Sequence, residues 1–197
     1  MQNTLSMALD HASMQRFKPS DAVFILPRYA HLYPANSAVV VGITADPFRP
    51  MFNEYALEFA DHSIAKLFEF QIIEDAPNYK TFIASLVFDS QDGIPTPEVG
   101  SLGSSRQIIL QTPGFHVDMR IRTTKSRAST MGQVLERDTK NLLKDLEVRL
   151  MREGMPITTA ISDSVGVFKF SDVPRGSLNI LVVIPQCLSR ILGALSL

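Results

Sequence analysis

Tryptophan is absent from the 197 residues, and cysteine occurs once, at Cys187. A single cysteine excludes an internal disulfide framework and a four-cysteine zinc site, and it fits a reducing compartment. Acidic and basic side chains nearly cancel, 20 against 19, so the chain as a whole lacks the positive charge of a general nucleic-acid binder. No stretch reaches the roughly 18 apolar residues of a membrane span. The opening MQNTLSMALDHASMQRFKPSD has neither the basic start nor the apolar run of a signal peptide. A cytoplasmic or intracellular location is expected, with peripheral membrane attachment or a place in a virion left open. His11, His31, His62 and His116 show no metal-ligand spacing, and Cys-x-x-Cys and His-Glu-x-x-His are missing. Neither metal nor cofactor is therefore expected, and with no nucleophile paired to a base an enzyme is the last of the readings.

What is present is a globular composition, 45% hydrophobic, with 12 phenylalanines and 12 prolines. Many Phe with many Pro suit short strands joined by bends. The clearest pattern covers 115–122, where Phe115, Val117, Met119 and Ile121 alternate with His116, Asp118, Arg120 and Arg122. The segments 23–26, 38–44, 81–88 and 157–161 read as further strands. So does 67–73, whose phase points Phe68, Phe70 and Ile72 inward. Residues 53–65 fit a helix through Tyr55, Ala56, Phe59 and Ala60, or a strand through Tyr55, Leu57 and Phe59. Residues 89–105 are rich in Gly, Pro and Ser and read as a loop.

Met131, Val134, Leu135, Leu142, Leu143, Leu146 and Leu150 fall on one helical stripe, so the spacing predicts a long helix near 130–152. Over 144–152 a strand fits as well. Leu188, Ile191, Leu192 and Leu195 predict a short closing helix. The expected architecture is mainly β, sandwich-like or jelly-roll-like, with these two helices; a compact α+β domain is the alternative. The expected division is an N-terminal arm over 1–20, one β-rich domain over 21–185, and an amphipathic helix or tail over 186–197.

The stretch 163–185 reads as a hairpin. Val167, Phe168 and Phe170 precede the turn Asp172-Val173-Pro174-Arg175-Gly176, and an almost wholly apolar strand follows over 178–184. A strand so apolar needs cover on both faces and should lie inside the sheet. Over 160–184, the Gly-x-Phe-x-Phe run followed by Val-Pro-x-Gly resembles transthyretin-like and carboxypeptidase-regulatory-like modules. That resemblance implies a β-sandwich with a non-catalytic role in folding support or binding.

Charge is unevenly spread. Residues 54–98 are acidic apart from Lys66 and Lys80, and 106–127 are basic apart from Asp118. Arg106, Arg120, Arg122, Lys125 and Arg127 form the candidate binding patch, able to meet the phosphates of RNA or of anionic lipid by charge. No aromatic platform accompanies it, which argues against base-specific single-strand binding. Ser126 and Ser129 lie in the same basic link, where phosphorylation would cut the charge. By elimination, the expected role is a non-enzymatic structural protein that associates with copies of itself, such as a viral coat, matrix or movement component. Leu5, Leu9, Leu188, Ile191 and Leu195 would carry the self-contact. The alternative is a cellular binding or adaptor module of the transthyretin-like kind.

Overall fold

The alternation over 115–122 is realised as a strand, and the rest of the chain follows the same period of two. The computed structural model describes residues 15–76, 78–91 and 104–197. They fall into two compact units: one takes the chain up to Pro77 together with Glu153–Met155, and the other takes Asn78–Arg152 and Pro156–Leu197. The only α-helix among the described residues is α1 (Pro27–Ala30), one turn long. No described helix is long and apolar enough to cross a membrane.

The first unit is a five-stranded antiparallel sheet. Its strands are β1 (Ala22–Ile25), β2 (Ser37–Thr44), β3 (Glu54–Glu58), β4 (Ile64–Phe68) and β5 (Ile72–Glu74), in the order β4-β3-β2-β1-β5. The ambiguous stretch 53–65 is thus strand: Tyr55, Leu57 and Phe59 point into a core with Val23, Ile25, Val40 and Leu67. The expected phase of 67–73 is not kept. Leu67 faces the core and Phe68 is exposed, because a 3-10 turn over Glu69–Gln71 breaks the strand before Ile72 turns inward again.

That turn places a carboxylate inside the unit. Glu69 accepts hydrogen bonds from the Tyr55 hydroxyl (2.7 Å) and the Asn53 amide (3.0 Å), with all three residues buried. Burial, then the hydrogen bond to Glu69 and that carboxylate's charge, push the Tyr55 phenol from its ordinary 10.0 to about 12. The folded value lies above the unfolded one. The neutral phenol's contribution to stability is therefore whole below pH 10 and is lost as pH rises from 10 to about 12. A tyrosine absorbance titration should show one step with its midpoint near pH 12, and Tyr55→Phe should remove it. Superimposable curves for the two proteins would refute the assignment.

The second unit is a ten-stranded sheet curled into a half-barrel. It comprises β6 (Lys80–Asp89), β7 (Ser104–Gln111), β8 (Phe115–Thr123), β9 (Arg127–Glu136), β10 (Leu142–Leu143), β11 (Glu147–Arg152), β12 (Met155–Ile161), β13 (Val167–Pro174), β14 (Ser177–Ile184) and β15 (Ser189–Ser196). The order is β10-β9-β8-β7-β6-β15-β14-β11-β12, and β13 also pairs with β9. Val117, Met119, Ile121, Val148, Leu150, Phe168, Ile180, Val182 and Ile191 meet in one core, so the curl brings distant strands face to face.

Neither expected helix is present. The stripe over 130–152 is divided among β9, β10 and β11, and left-handed backbone at Lys140 and Asp145 interrupts any helix between them. Along β9 the buried positions are Ala128, Thr130, Gly132 and Val134, while Met131 is 43% exposed. The residues facing in are small and two of those facing out are large and apolar, which disguises the period of two. Gly132 is small for a reason: a Cβ there would stand 2.5 Å from the Phe168 ring and 2.8 Å from the Asp118 carbonyl oxygen. At the C-terminal end, residues 189–196 form β15 and not a helix. Ile191 and Leu192 are both fully buried because the strand is covered on both faces, a pattern that leaves no alternation to read.

The expected hairpin over 163–185 also resolves differently. Both strands form, but β13 pairs with β9 while β14 lies between β11 and β15. The Arg175–Gly176 link, with Gly176 at φ +121° and bonded both ways to Leu197, carries the chain from one part of the curled sheet to another. The expectation that 178–184 sits inside the sheet is met, since Leu178, Ile180, Val182 and Ile184 all enter the core.

Candidate anion-binding face

Because β8 sends its odd residues into the core, its even residues stand on the outer face of the second unit. Strand register then fixes their neighbours. Arg120 lies opposite Gln107 of β7 and Met131 of β9, and Met131 in turn lies opposite Lys169 of β13. One step along, Arg122 lies between Ser105 and Ser129. Arg127 precedes Ser129 by two residues, so it shares that face. At about 3.4 Å of rise per residue and 4.8 Å between strands, Arg122 and Arg127 are diagonal neighbours whose long side chains reach a common point.

These two arginines, with Ser105, Thr123, Thr124, Ala128, Ser129 and Asp172, line a groove of about 660 Å³. The groove sits at the turn joining β8 to β9. There the Thr124 amide donates to the Arg127 carbonyl at 2.8 Å, and the Arg127 amide donates to the Thr124 hydroxyl at 3.3 Å. Lys125 and Ser126 occupy the exposed tip of that turn. Asp172 reaches the groove from β13, where a bulge sets Ser171 and Asp172 against the single residue Ser129. Asp172 has left-handed backbone, φ +58°. Its carboxylate is 3.4 Å from Arg127 Nε, and its carbonyl accepts from Arg127 Nη1 at 3.2 Å.

The five residues of the expected basic patch are thus not equivalent. Arg120, Arg122 and Lys125 are exposed and make no hydrogen bond or ion pair with any described residue. Arg127 is partly neutralised by Asp172. Arg106 is committed to structure: its guanidinium bonds the buried Asp89 carboxylate through Nε and Nη2 and the Ser196 carbonyl through Nη1. The outer face gains Lys169 in its place, which the sequence pattern of β13 puts outward but whose position beside β8 and β9 only the strand pairing reveals. His116 and Asp118 do not pair. His116 Nε2 is 3.0 Å from Gln111 Oε1, and the Gln107 amide donates to both Asp118 oxygens at 2.9 and 3.1 Å. Burial, with Arg137 and Lys140 nearby, holds the His116 imidazole below its ordinary value.

Of the residues expected to carry self-contact, Leu5 and Leu9 lie outside the described residues. Ile191 and Leu195 are in the core of the second unit, and Leu188 is exposed at the bend before β15. Most of the expected loop over 89–105, residues 92–103, also lies outside the described residues. Asp89 is held by Arg106, and no group of three or more potential metal ligands occurs among the described residues.

No family model, no curated protein and no solved structure matches this chain.

Proposed function

We propose that the protein is a non-catalytic binding module that engages an anionic partner through the outer face of β7, β8 and β9. The observation that carries this reading is the convergence of Arg122 and Arg127 on one groove with the hydroxyls of Ser105 and Ser129, while Arg120 and Lys169 extend the positive face beside it. Guanidinium groups flanked by hydroxyl donors recognise oxyanions by charge-assisted hydrogen bonds. The sheet beneath holds them rigidly, since its other side is packed core. In this respect the chain would act as the transthyretin-like modules that residues 160–184 resemble are expected to act, holding a partner and converting nothing. The self-assembling alternative has fewer supports, with Ile191 and Leu195 enclosed in the core.

The test is a titration with inorganic phosphate at low ionic strength, followed through backbone amide resonances. Amides of Ser105, Arg122, Arg127 and Ser129 should shift together. Arg122→Ala should weaken binding about tenfold or more, as expected on losing a charge-assisted hydrogen bond, with the fold unchanged because Arg122 touches nothing in the core. The reading fails if phosphate moves none of these resonances, or if Arg122→Ala binds as the wild type does.

A further inference from the structure

We propose that the groove is a phosphomonoester site and that Asp172 is its internal competitor, releasing Arg127 when the ligand arrives. The inference deepens the anion-binding reading above and rests on it.

The donor set points to the ligand class. Arg122 projects from β8, Arg127 and Ser129 from β9, and Ser105 from β7. Donors therefore approach one volume from three strands. A carboxylate lies in a plane and is satisfied by a single guanidinium fork; a tetrahedral group with three terminal oxygens uses donors from several directions. Neither serine hydroxyl is committed to another described residue, and Arg122 has no partner among them. A phosphodiester has two terminal oxygens and one charge. A monoester has three oxygens and carries about −1.5 to −2 at neutral pH. The groove volume of about 660 Å³ leaves room for the phosphoryl group and what it is attached to.

Asp172 gives the second half of the inference. The bulge between Phe170 and Val173 turns its side chain toward Arg127 at the cost of a left-handed backbone at a non-glycine residue. The ion pair it makes is half open to water, with side-chain exposures of 52% and 73%. Such a pair is weak and opens readily. It nonetheless gives Arg127 a tethered carboxylate in the free protein, and a ligand has to displace it. At Arg127 a singly charged anion exchanges one such contact for another, whereas a dianion gains there as well as at the unpartnered Arg122.

The probes are N-acetyl-O-phosphoserine amide, dimethyl phosphate and acetate, titrated into the full chain at low salt and followed by the same amide resonances. Phosphoserine amide should bind at least about tenfold more tightly than the other two. Its affinity should fall between pH 7.5 and 5, as the ester's second proton returns near pH 6. Asp172→Asn keeps a residue type that tolerates the left-handed backbone. It should raise phosphoserine affinity roughly two- to fivefold, the range of an exposed ion pair removed. Equal binding of the three probes, all lost in Arg122→Ala, would leave the anion site standing and overturn its phosphomonoester assignment. Unchanged affinity in Asp172→Asn would overturn the competitor role. If no probe shifts a groove resonance, the anion-binding reading falls as well.

Discussion

Arg106→Ala is expected to destabilise the second unit by about 3 kcal/mol, the size of effect seen when one partner of a buried ion pair is removed. Asp89 is the reason. Its side chain is 5% exposed, and the Arg106 guanidinium holds it with two Nε contacts at 2.8 and 3.0 Å and a further bond from Nη2. Arg106 hydrogen bonding is also the main cause that keeps the Asp89 carboxyl below its ordinary 3.8. Without Arg106 the carboxylate stays desolvated and unneutralised. The variant also loses the 2.6 Å bond to the Ser196 carbonyl, so the end of β15 should exchange its amides faster. The sign of the pH dependence follows from the lowered value. The stabilisation is whole above pH 3.8 and disappears as pH falls through the lower, folded value, so the gap between wild type and variant should close in acid. Adding Asp89→Asn to the variant should recover part of the loss, because the stranded charge is gone. Chemical denaturation of the wild type, the single variant and the double variant reads the stability changes, and amide exchange reads the end of β15; a loss below about 1 kcal/mol would make the pair an ordinary surface one.

Gly132→Ala is expected to destabilise by about 2–3 kcal/mol through overpacking. The added methyl would meet the Phe168 ring at 2.5 Å, the Asp118 carbonyl oxygen at 2.8 Å and Met119 Cγ at 3.0 Å. The Met119 side chain can flex, but the carbonyl is β8 backbone, one residue before Met119, which pairs directly with Gly132. Phe168→Leu should relieve only the ring contact, so the double variant should recover part of the loss and no more. Full tolerance of Gly132→Ala would mean that β8 and β9 can separate by several tenths of an ångström without penalty, contrary to a close-packed core.

Where the sequence could be read, one face was wet and the other dry. The β8 pattern is legible because Phe115, Val117, Met119 and Ile121 are large and their alternate neighbours are polar, and that alone places Arg120 and Arg122 outward. On β9 the same geometry is hidden, since Ala128, Thr130 and Gly132 face the core and Met131 faces water. On β15, Ile191 and Leu192 are buried on opposite faces, and the apolar residues fall by chance at helical spacing. Turn chemistry near Pro174 and Gly176 signals a reversal of direction but cannot say which strands pair. The strand pairing depends on partners some forty residues away, Lys169 against Met131 and Pro174 against Arg127. The groove was half visible for the same reason: Arg122 and Arg127 belong to one local hairpin, but Asp172 arrives by long-range register, as does Lys169 on the face beside it.

The position of β15 bears on the order of events during synthesis. It runs antiparallel to β14 along its whole length and parallel to β6 over Ser189–Gly193, filling the middle of the sheet. Until residues 189–196 emerge from the ribosome, β6 keeps one bare edge, and β14, about a hundred residues further along the chain, adds a second once it is made. Each is an apolar template that another nascent copy could occupy. Closing the gap is a late, non-local step, of the kind that slows folding and lengthens the exposure of such edges. The β6 edge, complete at Asp89, therefore has to be shielded while about a hundred further residues are made, whereas the β14 edge waits only for the bend at 185–188.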